Sequence, residues 1–297
     1  MPRKKKVLPG EPRKKIGLAL GGGASKGLAH IGVLKALEEA RIPIDMIAGT
    51  SMGAVVGGWY AAGGDISSME GIISSFKKRE KNMLAKVSLR KGKPKLRDGS
   101  IMDIIDKHFG NIKMDECKIP FRAVATDVKN GDEIVLSEGK MSDNIRASAA
   151  IPVIFDPVDI GDRTLVDGGL INPVPADVVR DMGADIVIAV DVSTHWFDVS
   201  AFPAGSLTIR NLHSIFYAMV SVLGYQLSKE ILKKADIVIR PPVLGYKWLD
   251  FRKSEDIIAT GYKTAKSSMT DICGIAGCEL PEKDMLEKFW DFVFNIE

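Results

Sequence analysis

Cysteine is scarce in this 297-residue chain. The three thiols, Cys117, Cys273 and Cys278, offer no disulfide framework and no metal-ligand spacing, so reduced thiols in a cytosolic setting are expected. No Gly-Lys-Ser/Thr follows a glycine run at Walker A spacing, which excludes a P-loop. The basic N-terminus, with Arg3, Lys4, Lys5, Lys6, Arg13, Lys14 and Lys15, lacks an adjoining hydrophobic region of signal-peptide length, so an export signal is not expected there. Met46 to Gly64 is uncharged over 19 residues, a length that raises a membrane span. Its six glycines, and flanks that read as strand, turn and helix, argue against one. Internal repeats and low-complexity linkers are also missing, so one domain is expected.

What the chain does have is apolar residue content, 45%, enough to bury a large core. Strands are expected near 16–20, 44–48, 121–126, 133–137, 163–166, 185–192 and 235–240. They alternate with helical stretches at a spacing that predicts an α/β fold, a mostly parallel sheet between helical layers. Helices are expected over 25–40, 52–62, 176–182, 209–234, 254–268 and 282–294. In the longest of these, 209–234, Leu212, Ile215, Phe216, Met219, Val220, Val222 and Leu223 form an apolar face suited to covering the sheet.

Three motifs carry chemistry. Gly49-Thr50-Ser51-Met52-Gly53 lies where an apolar strand meets an apolar helix, the setting of a nucleophile elbow that exposes the Ser51 hydroxyl at a helix N-terminus. Gly21-Gly22-Gly23-Ala24-Ser25-Lys26-Gly27 closes the first strand and opens a helix. Consecutive N–H groups there can converge on a phosphate or on the oxyanion of an acyl intermediate. A dinucleotide-binding reading competes, since Asp45 lies about 20 residues on, but Ala24 holds the middle glycine position and Asp45 leads straight into the serine turn. The third motif, Asp167-Gly168-Gly169, puts a carboxylate at a strand end with two glycines behind it.

These segments resemble the patatin-like phospholipases, from about Lys15 to Pro241. Gly27-Leu28-Ala29-His30-Ile31-Gly32-Val33-Leu34, Ile119-Pro120-Phe121-Arg122-Ala123-Val124-Ala125-Thr126-Asp127 and Arg146-Ala147-Ser148-Ala149-Ala150-Ile151-Pro152 extend the similarity. The resemblance implies a three-layer α/β/α fold and a lipid acyl hydrolase that needs no metal or organic cofactor. It also implies a Ser-Asp dyad, with Ser51 as nucleophile, Asp167 as base and an acyl-serine intermediate. Gly21, Gly22, Gly23 and Ala24 map onto the oxyanion loop, followed by Lys26 and Gly27; Gly49 and Gly53 flank the elbow, and Gly168 and Gly169 follow the acid. Ala24 departs from the family's pattern and requires a backbone conformation open to a residue with a Cβ.

A Ser-His-Asp triad through His195 or His213 remains open by chain order. His30 is expected to pack under the glycine loop, and His108 to sit at a helix end. A different class, a non-catalytic lipid- or nucleotide-binding module, would need neither Ser51 nor Asp167. Between Lys77 and Arg97 stand ten Lys or Arg and one acid, Glu80, a segment suited to an anionic membrane surface or to a solvated insertion. No aromatic platform points to nucleic acid. The expected organisation is a basic tail (1–15), a catalytic domain (16–245) with the basic insertion at about 77–97, and a helical extension (246–297) on the same domain. The expected location is cytoplasmic, with peripheral contact at the inner membrane surface.

Overall fold

A computed structural model describes residues 13–80, 89–90, 93–94, 101–152, 154–193, 212–246 and 251–278. In chain order the strands are β1 (Ile16–Leu20), β2 (Met46–Thr50), the two-residue pair β3 (Leu89–Arg90) and β4 (Lys93–Pro94), β5 (Phe121–Asp127), β6 (Glu133–Leu136), β7 (Val158–Ile160), β8 (Arg163–Asp167), β9 (Ile186–Val190) and β10 (Ile237–Ile239). The helices are α1 (Ala29–Glu39), α2 (Met52–Ala61), α3 (Ile66–Glu80), α4 (Ile101–Phe109), α5 (Met141–Ser148), α6 (Ala176–Asp181), α7 (Leu212–Ile231) and α8 (Ser254–Ala276).

Apolar residues in β1, β2 and β9 are buried on both faces of the sheet, as unbroken apolar runs require. β10, β9, β1, β2 and β5 pair in parallel in that order. The far side of the sheet is antiparallel: β5 pairs with β6 and with β8, and β8 with β7. One core cluster packs α1, α2, α5 and α8 against the sheet, and a second, built on Val174, Val178, Val179 and Leu232, covers the opposite face.

The register of β5 sets up the site. Ala125 pairs with Ile134 of β6 and with Asp167 of β8, so β6 and β8 lie on opposite edges of β5. Val124 pairs with Val135 of β6 and Thr50 of β2, so β2 shares its edge with β8. β2 runs parallel to β5 and β8 antiparallel to it. Their C-terminal ends therefore meet head to head along one edge, Thr50 opposite Val124 and Asp167 opposite Ala125.

Several sequence expectations need correction. The helix expected over 25–40 is a 3₁₀ turn (Ala24–Leu28) leading into α1. α7 is described from Leu212 onward, residues 209–211 lying outside the described residues, and a 3₁₀ turn (Leu232–Lys234) follows it. Leu223, counted with the covering face of that helix, is 57% exposed. Most of the basic segment 77–97 and all of the helix expected over 282–294 lie outside the described residues. Met46–Gly64 forms β2, the serine turn and α2, and no described helix is long and apolar enough to cross a membrane.

Candidate active site

Ser51 occupies the single-residue turn between β2 and α2, with φ 54° and ψ −121°. This left-handed conformation is costly for a residue with a Cβ and persists where surrounding structure holds it. The packing around the turn explains the flanking glycines: a methyl on Gly53 would stand 2.0 Å from the Leu20 carbonyl oxygen, and one on Gly49 2.5 Å from the Gly53 carbonyl oxygen. The elbow exists because α2 can press onto the ends of β1 and β2 without a side chain between them.

Asp167 ends β8 and Ser51 follows β2, so the head-to-head strand ends bring them together. The Ser51 hydroxyl donates to the Asp167 carboxylate, and the Gly169 N–H donates to Oδ1 at 2.8 Å. Burial raises the Asp167 carboxyl to about 6, against the lowering effect of these two hydrogen bonds. The Thr126 hydroxyl holds the Asp167 carbonyl at 3.0 Å. Gly168 lies so close to β5 that a methyl on it would stand 2.2 Å from the Val124 carbonyl oxygen.

The glycine loop runs beside the serine. A methyl on Gly22 would stand 3.3 Å from Ser51 Cβ, and Gly27 backs onto Met52. Two of the four expected donors are committed to the fold: the Gly21 N–H donates to the Val190 carbonyl at 3.0 Å and the Gly22 N–H to the Pro173 carbonyl at 2.9 Å. Gly23 and Ala24 follow them at the start of the 3₁₀ turn, which the Lys26 N–H closes on the Gly23 carbonyl at 3.0 Å. Ala24 carries φ 48°, the strained conformation its Cβ made doubtful. Lys26 is buried, and desolvation lowers its ammonium to about 8.

His30 lies fully buried under the loop, its Nε2 2.7 Å from the Gly21 carbonyl oxygen. Desolvation lowers its pKa to about 4, so it is neutral at pH 7 and Nε2–H is the donor. His108, in the last turn of α4, packs edge-on against Trp59. His195 lies outside the described residues, and of His213 the structure describes only the backbone, in α7. Asp45 is bound up elsewhere, in an ion pair with Arg13 at 2.5 Å and a hydrogen bond from the Ile16 N–H at 2.7 Å. That leaves the dinucleotide reading without its ribose acid.

The patatin-like phospholipase profile matches residues 18–180, more than half of the chain, from within β1 to within α6. The chain belongs to the patatin-like phospholipase family. Among curated relatives, lysophospholipase nte1 of Aspergillus fumigatus is 29% identical over 90% of this chain and 19% of its own length. An uncharacterized NTE family protein of Mycobacterium bovis is 36% identical over 62% of this chain and 51% of its own length. The chain thus spans about a fifth of the fungal relative and about half of the mycobacterial one. Among solved structures, VipD of Legionella pneumophila shares the fold with a TM-score of 0.51 over 88% of this chain and 67% of its own, at 14% identity.

Two features of this patatin-like site were not assigned from sequence. The Ser51 N–H donates to the Ser148 hydroxyl at 3.0 Å, and the Asp167 N–H to the Ala150 carbonyl at 3.0 Å. Both acceptors lie in the stretch Arg146–Pro152 that carries part of the family resemblance. The resemblance marked the segment without saying what it touches. Among the described residues, no group of three or more His, Cys, Asp or Glu side chains is arranged to hold a metal ion.

Proposed function

We propose that the chain is a serine hydrolase of lipid acyl esters, working through a Ser51–Asp167 dyad. The observation that carries this reading is the hydroxyl–carboxylate pair at two confronting strand ends, beside a glycine loop whose Gly23 and Ala24 N–H groups meet no acceptor among the described residues. Ser51 Oγ attacks the ester carbonyl carbon while Asp167 accepts its proton, a transfer worth about 10²–10⁴-fold. A carboxyl near 6 is the stronger base for being buried, yet still ionised at neutral pH. The N–H groups of Gly23 and Ala24 receive the oxyanion, each such donor contributing roughly 3–4 kcal/mol. Collapse expels the alcohol with the proton from Asp167 and leaves an acyl-serine, which a water deprotonated by Asp167 hydrolyses.

The names of the relatives point to lysophospholipids or phospholipids as the acyl donors. We assign Lys77–Arg97 a contact with anionic lipid, each basic residue adding about 1 kcal/mol near such a surface. The location that follows is cytoplasmic and peripheral.

The test is hydrolysis of p-nitrophenyl esters and of lysophosphatidylcholine by wild type, Ser51→Ala, Asp167→Asn and His195→Ala. Loss in the first two variants and retention in the third supports the dyad. Loss in His195→Ala as well replaces it with a triad, and a folded wild type that neither turns over nor reacts with a fluorophosphonate sinks the enzymatic reading.

A further inference from the structure

A serine turn at φ 54° does not hold itself. Asp167 is paired with Ala125 of β5 and Ser51 follows the last residue of β2, yet neither N–H is taken by a strand of the sheet. Both N–H groups are nevertheless satisfied, and by one short piece of chain: Ser148 Oγ accepts from Ser51 and the Ala150 carbonyl from Asp167, each at 3.0 Å. Ser148 is fully buried at the last turn of α5, and α5 is itself anchored in the core through Met141, Ile145 and Ala147. The hydroxyl is the element of this bridge that a side chain supplies.

We propose that Ser148 is a positioning residue for the Ser51–Asp167 dyad, its hydroxyl fixing the backbone of the serine turn while the adjoining Ala150 carbonyl fixes that of the acid. The proposal rests on the dyad reading for its effect on rate, but the hydrogen bond itself is independent of that reading. Ser148 touches no reacting atom. It acts by holding the Ser51 main chain in the conformation that aims Oγ at Asp167, and a small displacement of a nucleophile costs on the order of 100-fold in rate.

Thr and Val at position 148 differ only in a hydroxyl against a methyl, so Ser148→Thr and Ser148→Val separate the hydrogen bond from the volume, with Ser148→Ala as the cavity-forming third. Two quantities are measured well below each variant's unfolding temperature. One is amide hydrogen exchange across residues 46–55, which reports the Ser51 N–H whether or not the protein is an enzyme. The other is the rate of fluorophosphonate reaction with Ser51, together with kcat and KM for a p-nitrophenyl ester. Faster exchange at Ser51 in the Ala and Val variants, a kcat lower by roughly 10- to 100-fold at unchanged KM, and recovery of both in the Thr variant are expected. Wild-type exchange and wild-type reactivity in a folded Ala or Val variant would overturn the proposal, as would equal losses in Thr and Val. Failure of all three variants to fold, while Ser51→Ala folds, would make Ser148 a folding residue and overturn it too. A wild type without turnover strikes the dyad reading alone, and the exchange comparison still decides whether Ser148 holds the turn.

Discussion

Asp167 is a carboxylate removed from water and left with two hydrogen bonds, one from Gly169 and one from Ser51. Burial outweighs both and brings the group to about 6. As the proposed base it must be ionised, so kcat/KM should rise about tenfold per pH unit up to about pH 6 and level off above it. A pH–rate profile of ester hydrolysis between pH 4.5 and 8 checks this, and a plateau reaching down to pH 4.5 would remove Asp167 from the base role. Ala24 offers a second test at the same scale. Its φ of 48° costs about 1–2 kcal/mol for a residue with a Cβ, and glycine gives back part of that through its looser unfolded chain. Ala24→Gly should therefore gain about 0.5–1 kcal/mol in urea unfolding while keeping the Ala24 N–H and the activity.

At the scale of elements, α8 packs across α1 with almost no side chain between them: a methyl on Gly261 would stand 2.0 Å from the Ala29 carbonyl oxygen, and one on Gly32 2.0 Å from that of Ile258. Backbone cannot give way as a flexible side chain can. Gly261→Ala should cost about 3 kcal/mol or more, and since α1 follows directly from the glycine loop, it should lower activity as well. Gly274, later in the same helix, has open space where its Cβ would be. Gly274→Ala should stabilise by about 0.5–1 kcal/mol through helix propensity alone, and thermal melts of the two variants give opposite signs if the crossing is as described. The strands legible from sequence were those with continuous apolar runs, and their observed bounds fall within about two residues of the expected ones. α3, α4, α5, β7 and the two-residue pair β3–β4 were not foreseen. β7 is three residues long, and α5 (Met-Ser-Asp-Asn-Ile-Arg-Ala-Ser) has a polar composition whose helix depends on burying Met141 and Ile145 against the sheet. The antiparallel edge was hidden for a related reason: strand direction depends on pairing partners, which a local apolar pattern does not record.

For the whole molecule, the site was legible where one residue type must fill one backbone role. Ser51 between Gly49 and Gly53, and Asp167 before Gly168, were visible because few other residues fit those turns. Ser148 and the Ala150 carbonyl were not, because an acceptor that arrives from a distant helix leaves no local spacing to read. The same two-sided construction gives the molecule a testable pH response, since two buried groups under and beside the glycine loop shift in opposite directions. His30 falls from its ordinary value to about 4 through desolvation, so the stability it contributes is present above about pH 6.5 and lost as pH falls toward 4. Asp167 rises to about 6, so the folded state holds its proton more tightly than the unfolded chain does. Its cost is absent below about pH 4 and complete above about pH 6. Each shift corresponds to on the order of 3 kcal/mol, and over the shared window they nearly cancel. Asp167→Asn should therefore be more stable than wild type at pH 7 and lose that margin as pH falls to 4. His30→Gln, which keeps a donor for the Gly21 carbonyl but does not titrate, should gain on wild type over the same interval. Urea unfolding of the three proteins at half-unit steps from pH 4 to 7.5 reads both differences directly. Parallel curves would mean that neither group changes its proton affinity on folding, and that Asp167, the proposed base, owes nothing to its burial.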